Sequence, residues 1–256
     1  MSYPGGKGAS GVAQTIINQQ PPHFAYVEPF FGGGTIMRAK RPAEWNEGLD
    51  LDESILPSSG TSFPYPQFQF HHGCGISFLN EVGSHFGPNE LVYCDPPYLL
   101  STRRRVRRLY QYEMTEDDHE RLLATLCRLN CMVQISGYWS SLYAERLEGW
   151  RLIRFTAMTR GGTAEECLWM NYPEPKALHD YRFLGSSFRD RERIKRKTER
   201  WRSRIAKLPY LERRALISAI ACDVDIKGEA SCSDGSRRIP AASTMHDRGE
   251  AEVDAR

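Results

Sequence analysis

The stretch that most constrains this chain is LVYCDPPY at residues 91–98, where an apolar run ends in an acid, two prolines and a tyrosine. The apolar half predicts a buried strand. Pro96 and Pro97 end that strand at Asp95, because proline cannot donate to a strand ladder and fixes its own φ angle. Ligands of open α/β sheets bind beyond the carboxyl ends of the strands. The sequence therefore predicts a rigid binding loop, with an ordinary strand end and turn as the alternative.

The groups in this loop suit a flat molecule that carries an exocyclic amino group. The Asp95 carboxylate and the Pro96 carbonyl are acceptors for the amino hydrogens, and the Tyr98 ring offers a stacking surface. We therefore predict that the catalytic residues are Asp95, Pro96, Pro97 and Tyr98.

A strand, a glycine-rich turn and a helix follow one another earlier in the chain. A strand pattern ends at Glu28, residues 32–34 are glycines, and a helical pattern begins at Thr35. This order is typical of the opening of a Rossmann-like unit, where glycines let a cofactor approach the backbone. Asp50, at the end of the next predicted strand, is placed to accept both ribose hydroxyls of a nucleoside. The alternative for Asp50 is a helix N-cap, although Asp52 can fill that role.

Size and composition are those of an ordinary globular protein, with 256 residues, 40% hydrophobic and 26% charged. An apolar run of about 18 residues and a signal-peptide pattern are both missing, so we expect neither a membrane span nor secretion. The seven cysteines are irregularly spaced, which favours a reducing cytosol over a disulfide framework. His71 and His72 point to opposite faces of a predicted edge strand, and with Cys74 they lack a fourth ligand. We therefore expect no metal.

Alternating helical and strand patterns predict an α/β fold, a Rossmann-like sheet with helices on both faces, over residues 1–176. Two late strands, near residues 150–156 and 165–171, predict a closing antiparallel pair. Residues 177–222 are expected to form a basic helical hairpin that docks by one apolar face. Residues 223–256 carry few large apolar side chains and are expected to be disordered.

Two basic segments predict contact with nucleic acid. Five arginines stand in the six residues 103–108, directly after the candidate binding loop, with a solvated loop as the alternative. Residues 189–204 hold nine Lys or Arg against three acids, an excess that suits a duplex backbone. The predicted DNA-binding residues are Arg103, Arg104, Arg105, Arg107, Arg108, Arg193, Lys197 and Arg200.

Four motifs stand together in one order, Tyr3-Pro-Gly-Gly-Lys7, Glu28-Pro-Phe-Phe-Gly-Gly-Gly34, Asp50 and Asp95-Pro-Pro-Tyr98. In this order and spacing, the chain resembles the Dam-like DNA adenine methyltransferases, particularly the short phage and prophage members. The resemblance covers roughly residues 1–172 and extends to Ser136-Gly-Tyr138 and Glu166-Cys-Leu-Trp169.

The resemblance implies transfer of a methyl group from S-adenosylmethionine to the exocyclic amino group of adenine in double-stranded DNA. It implies that the Asp95 loop holds the target adenine. It also implies that the cofactor pocket is lined by Tyr3, Lys7, Glu28, Phe30, Gly32, Asp50 and Asp95. The implied location is the cytoplasm of a bacterial or phage-infected cell, with a restriction endonuclease of the same system as a candidate partner.

Two departures from the family pattern affect what can be expected. Larger members insert a long target-recognition region between the second strand and the Asp-Pro-Pro-Tyr loop, whereas about 40 residues separate Asp52 from Asp95 here. Sequence readout is therefore expected to be simpler, or to move to the arginine run and the C-terminal helices. Cys74-Gly75-Ile76 stands where many relatives carry an acid, which leaves one contact to the adenine ring of the cofactor open.

Three alternative functions stay open at this point. The first two are an RNA adenine methyltransferase and a protein glutamine methyltransferase. Asp rather than Asn at position 95 favours adenine but does not separate DNA from RNA. The third is a catalytically inactive DNA-binding relative, against which the intact motifs argue.

Overall fold

A seven-stranded mixed sheet forms the centre of the protein. The computed structural model describes residues 7–8, 11–55, 67–103, 109–159 and 162–227, without the side chains of 159 and 222–227. The strands are β1 (Ala25–Glu28), β2 (Trp45–Asp50), β3 (Phe68–His72), β4 (Glu90–Cys94), β5 (Met132–Gly137), β6 (Arg151–Thr159) and β7 (Gly162–Met170). They lie across the sheet in the order β3-β2-β1-β4-β5-β7-β6.

The helices connect these strands and extend the chain beyond them. They are α1 (Val12–Ile17), α2 (Thr35–Ala39), α3 (Gly75–Val82), α4 (Glu116–Leu126), α5 (Ser141–Arg146), α6 (Phe188–Ala206) and α7 (Tyr210–Lys227). Strands β1 to β5 pair in parallel, which requires crossover connections. Strand β7 runs antiparallel to both β5 and β6, so the predicted closing antiparallel pair is confirmed.

Strand β4 shows why helices cover both faces of the sheet. Successive side chains of a strand point to opposite faces. Leu91 and Tyr93 pack into one apolar cluster with residues of α1 and α2, whereas Val92 and Cys94 pack into a second cluster with residues of α3, α4 and α5. The predicted Rossmann-like α/β sheet with helices on both faces is confirmed.

The strand order places a switch point between β1 and β4. After β1 the chain crosses to β2 on one side, and it later returns to β4 on the other side of β1. The segments that leave the carboxyl ends of β1 and β4 therefore diverge and leave a crevice between them, which is where open α/β sheets bind ligands.

The first compact unit ends at Arg204 rather than at residue 176. Segment 178–183 is bonded to it, because the His179 amide donates to the Gln20 carbonyl at 3.0 Å and Asp180 accepts from the Arg41 amide at 2.8 Å. A second unit begins at Ile205. None of the helices that the structure describes is long and apolar enough to span a bilayer.

Both C-terminal helices are present, and their docking by an apolar face stays a prediction. Helix α6 has no buried residue, and Leu211 and Ile220 of α7 are 78% and 49% exposed. The spacing of apolar residues identifies one face of a helix but not a partner for that face. Helix α7 also runs on to Lys227, so residues 223–227 are helical where disorder was expected. The rest of the tail lies outside the described residues, and the hairpin stays a prediction.

Candidate active site

A cleft opens at the carboxyl ends of β1, β2 and β4, and it encloses about 1110 Å³ including its mouth. Its walls are the turn after β1, the end of β2, the start of α3, the Asp95 loop and residues 110–114. Several of the predicted site residues line it, namely Lys7, Glu28, Phe30, Gly32, Asp50, Asp95 and Pro97. The fold therefore brings both candidate motifs into one cavity.

The glycine-rich turn is folded around the buried ring of Phe31. Gly32 and Gly34 have φ angles of 50° and 59°, in the left-handed region that favours glycine. A Cβ atom at Gly34 would lie 2.3 Å from the Phe31 ring, and one at Gly48 would lie 2.5 Å from it. Gly34 and Gly48 are therefore both required by the packing around the Phe31 ring, whatever the turn binds.

Asp50 closes the turn onto the end of β2. Its Oδ2 accepts from the Gly32 amide at 2.7 Å, and its Oδ1 accepts from the Asp52 amide at 3.0 Å. Burial raises the pKa of the Asp50 carboxyl, and these backbone amides act in the opposite direction. Each carboxylate oxygen keeps a further lone pair, so Asp50 can still accept hydroxyl hydrogens from the cleft. Asp52 instead accepts from the Ser54 amide at 3.0 Å, the capping role predicted for it.

Glu28 lies at the end of β1, is buried, and lines the cleft. The Tyr26 hydroxyl donates to its Oε1 at 2.9 Å. Burial raises the pKa of Glu28 to about 8, although the Tyr26 hydrogen bond and the Lys40 ammonium oppose the shift. Glu28 is therefore protonated around neutral pH and can donate as well as accept a hydrogen bond.

Asp95 forms a buried ion pair with Lys7. In the sequence analysis Lys7 was predicted only as a cofactor-binding residue. Lys7 Nζ lies 2.9 Å from Asp95 Oδ1 and 3.4 Å from Glu166 Oε2. Burial raises the pKa of Asp95, and Lys7 opposes that shift. Burial alone lowers the pKa of Lys7, but the carboxylates of Asp95 and Glu166 outweigh it and hold that pKa above its usual range. Lys7 is therefore a cation.

Tyr98 is held at three points. Its hydroxyl donates to Glu166 Oε2 at 3.1 Å and accepts from Lys7 Nζ, and its ring meets Tyr138 edge-on with ring centres 4.8 Å apart. Tyr98 does not itself line the cleft, and neither does Pro96, which is buried. The stacking surface of Tyr98 and the acceptor role of the Pro96 carbonyl therefore stay predictions.

Arg103 was predicted to bind DNA, and the structure contradicts this. Arg103 is buried, donates to the Tyr98 carbonyl through Nε at 2.8 Å, and donates to both carboxylate oxygens of Glu113. A guanidinium with these partners cannot reach a duplex. The sequence could not separate Arg103 from its neighbours, because its acidic partner stands ten positions further along the chain.

The remaining predicted DNA contacts divide into two groups. Arg193, Lys197 and Arg200 are exposed on α6, and Arg193 pairs with Asp190 at 2.6 Å. They recur at helical spacing and so share one face of that helix. Arg104, Arg105, Arg107 and Arg108, together with the predicted cofactor residue Tyr3, lie outside the described residues.

Three features of the cleft and its surroundings were not predicted from the sequence. Glu166 was noted only as part of a resemblance, and nothing in the local pattern places it against Asp95. A Cβ atom at Gly75 would lie 2.2 Å from the Pro29 carbonyl oxygen, so glycine lets α3 start against the cleft wall. Residues 110–114 complete that wall after a long separation in sequence. A pattern along the chain cannot report such contacts through space.

One member of the histidine pair contacts a carboxylate. His71 Nε2 lies 2.8 Å from Glu47 Oε1. Within the part of the chain that the structure describes, no group of three or more His, Cys, Asp or Glu side chains is placed to hold a metal ion.

Comparison with known protein families finds a match to the part of the chain that contains the Asp95 loop. Residues 81–137 match the family model of D12 class N6 adenine-specific DNA methyltransferases. The match contains the Asp95 loop, and it confirms the resemblance inferred from the sequence motifs. Comparison with curated proteins finds no match.

Solved structures with similar folds are distant in sequence. One is a precorrin-8w decarboxylase of Methanobacterium thermoautotrophicum, at 10% identity and TM-score 0.43, covering 67% of this chain and 94% of that one. Another is a SAM-dependent methyltransferase of Agrobacterium tumefaciens, at 12% identity and TM-score 0.41, covering 62% of this chain and 58% of that one. A third is the magnesium protoporphyrin IX methyltransferase of Synechocystis, at 11% identity and TM-score 0.40, covering 62% and 74%.

Proposed function

We propose that this chain is a site-specific DNA methyltransferase that transfers a methyl group from S-adenosylmethionine to the exocyclic amino group of adenine. The observation that carries the proposal is the meeting of two sites in one cleft, the Asp95 loop and the glycine-rich turn with Asp50. The family match over residues 81–137 supports the assignment of the Asp95 loop to adenine.

The turn side of the cleft has the groups that a nucleoside cofactor requires. Asp50 retains acceptor capacity for ribose hydroxyls, Phe30 and Ile76 offer apolar surface for an adenine ring, and the glycines leave the backbone accessible. The residues present therefore fit S-adenosylmethionine, which supplies an electrophilic methyl group when bound. We assign its pocket to Lys7, Glu28, Phe30, Gly32, Asp50 and Asp95.

In this proposal the Asp95 loop binds the target adenine. The amino nitrogen of adenine is a poor nucleophile, because its lone pair is delocalised into the ring. Hydrogen bonds from the amino group to Asp95 and to the Pro96 carbonyl favour a tetrahedral nitrogen with a directed lone pair. Holding that nitrogen in line with the methyl donor supplies much of the rate. The base must leave the duplex stack, at a cost of roughly a few kcal/mol, and stacking against Tyr98 offsets part of it.

The exposed cations of α6 provide the sequence-independent part of DNA binding in this proposal. Phosphate contacts position a protein without reading bases. Arginines 104, 105, 107 and 108 follow the base-binding loop directly and remain the candidates for sequence readout. We place the protein in the cytoplasm of a bacterial or phage-infected cell, with a restriction endonuclease as a candidate partner.

The test is methyl transfer by the purified chain from labelled S-adenosylmethionine to duplex DNA, to RNA of the same sequence and to protein. We expect N6-methyladenine in DNA and none with Asp95→Ala. Label in RNA adenine or in glutamine would replace the proposed substrate. Cofactor-independent DNA binding without transfer to any acceptor would identify an inactive relative.

A further inference from the structure

We propose that Glu166 is a positioning residue for methyl transfer: with the Tyr98 hydroxyl it holds the Lys7 ammonium against Asp95, which fixes the Asp95 carboxylate as a hydrogen-bond acceptor. This inference rests on the proposed function, because it assigns Asp95 the task of accepting the adenine amino group. Glu166 itself is not placed to touch the substrate.

The geometry joins four side chains from three separate parts of the chain. Glu166 comes from β7, Lys7 from the N-terminal segment, and Asp95 and Tyr98 from the loop after β4. Lys7 Nζ is 2.9 Å from Asp95 Oδ1 and 3.4 Å from Glu166 Oε2, while the Tyr98 hydroxyl donates to the same Glu166 oxygen at 3.1 Å. Glu166 Oε2 thus contacts both the Lys7 ammonium and the Tyr98 hydroxyl.

The side chains that make these contacts are largely shielded from water. The side chains of Lys7 and Glu166 are only 6% and 8% exposed, and that of Asp95 is 22% exposed. Lys7 reaches the site from a glycine-rich segment, so its long side chain needs partners to stay in one position. Asp95 supplies one partner, and Glu166 with Tyr98 supplies the second. Without the second, the ammonium is free to reorient about Asp95.

The charges around Asp95 determine how each substitution changes the pKa of the Asp95 carboxyl. Lys7 is the cation that favours the ionised form of Asp95, and Glu166 is an anion that disfavours it. Among the described residues, the other ionisable side chains that act on Asp95 electrostatically, or on which Asp95 acts, are Glu28, Tyr93, Cys94, Tyr98, Tyr110 and Tyr143. Removal of Lys7 therefore raises the pKa of Asp95, whereas removal of the Glu166 charge does not raise it.

Three variants and a control test the assignment. Glu166→Gln keeps an acceptor for the Tyr98 hydroxyl and removes the charge that holds Lys7. Lys7→Met removes the ammonium, and the double variant removes both. Glu165→Gln is the matched control, because Glu165 is the neighbouring residue of β7, is 59% exposed and pairs only with Arg154 among the contacts described. Methyl transfer to duplex DNA and S-adenosylmethionine affinity by calorimetry are measured for each.

We expect Glu166→Gln to lower kcat on the order of tenfold, the loss typical of one buried charge-assisted contact, with cofactor affinity changed less than about twofold. The double variant should be no slower than Lys7→Met alone, because Glu166 acts through Lys7. The acid limb of the rate profile should move to higher pH in Lys7→Met and should not do so in Glu166→Gln. Glu165→Gln should match the wild type.

Losses that multiply in the double variant would overturn the proposal, as would a wild-type rate in Glu166→Gln or an upward shift of its acid limb. If the wild-type chain methylates no nucleic acid, the proposed function fails by itself. The positioning role is then read from carbon NMR of the labelled Asp95 carboxyl, assigned with Asp95→Asn. A titration midpoint that does not rise in Lys7→Met would overturn it there.

Discussion

Arg103 donates to both carboxylate oxygens of Glu113, at 2.8 Å through Nη1 and 2.6 Å through Nη2, and both side chains are buried. The same guanidinium donates to the Tyr98 carbonyl. One arginine thus connects the loop that contains Asp95 and Tyr98 to the segment that leads into α4. The arginine run 103–108 therefore begins with a structural residue.

This relationship predicts that Arg103→Gln destabilises the protein instead of weakening DNA contact. Removing one partner of a buried ion pair leaves the other charge uncompensated, which costs about 3–5 kcal/mol of unfolding free energy. Urea unfolding measures that loss. Arg121→Gln is the control, because the Arg121–Asp118 pair lies at the surface and such pairs contribute little to stability. A folded Arg103→Gln with a flatter salt dependence of DNA binding would restore the DNA-contact assignment.

Asp50→Ala should weaken S-adenosylmethionine binding by about 1–3 kcal/mol, because a buried acceptor is lost from both the ribose and the Gly32 amide. Calorimetric titration with the cofactor measures the change. Asp52→Ala serves as the comparison, since Asp52 accepts from Ser54 at the surface of the next turn. Equal affinities of the wild type and Asp50→Ala would move the ribose contact elsewhere in the cleft.

Glu28 should make the unfolding free energy depend on pH. Its folded pKa is about 8, above the ordinary glutamate value of 4.5, so between those values the folded protein keeps a proton that the unfolded chain has lost. Stability from this group is present below about pH 4.5 and falls as pH rises toward 8. Between about pH 4.5 and 8, the unfolding free energy of the wild type should therefore fall on the order of 2–4 kcal/mol further than that of Glu28→Gln.

Urea unfolding of both proteins at pH 5 and pH 8 checks this prediction. The Gln side chain keeps the acceptor for Tyr26 and does not titrate. Lys40, whose pKa burial lowers to about 7, adds an opposite pH dependence in both proteins, and in Glu28→Gln its pKa lacks the raising effect of the Glu28 carboxylate. If the unfolding free energies of the two proteins change equally between pH 5 and pH 8, Glu28 is ionised in the folded protein and the prediction is wrong.

Replacing Arg193, Lys197 and Arg200 by Gln should flatten the salt dependence of DNA binding without changing the methylated motif. Each phosphate contact contributes roughly 0.9 to the slope of log K against log salt, so three contacts give up to about 3. The pairing of Arg193 with Asp190 favours a change nearer 2 than 3. Arg202→Gln is the control, because Arg202 lies on the opposite face of α6 and pairs with Glu199. An altered motif in the triple variant would assign sequence readout to the helix.

The sheet was predictable because each strand and helix is specified by a local pattern. The apolar run before Asp95 alternates between two cores, and Thr115 and Asp118 form the capping box that begins α4. These signals need only neighbouring residues and general stereochemistry.

The candidate site was predictable only in part, because its decisive contacts are between distant residues. Asp50 and Asp95 were found by their positions at strand ends. The contact of Lys7 with Asp95 spans 88 positions, and Glu166 with Tyr98 spans 68, so no local pattern reports either contact. The burial of Arg103 could not be predicted for the same reason, because the sequence identifies a side chain but does not show which parts of the protein cover it.

The account depends most on Asp95 as the acceptor for the adenine amino group. The most direct measurement compares wild type and Asp95→Ala in single-turnover methyl transfer to duplex DNA, with S-adenosylmethionine affinity measured on the same samples. We predict N6-methyladenine from the wild type and none from the variant, with cofactor affinity only modestly reduced. Wild-type turnover in Asp95→Ala would contradict the account.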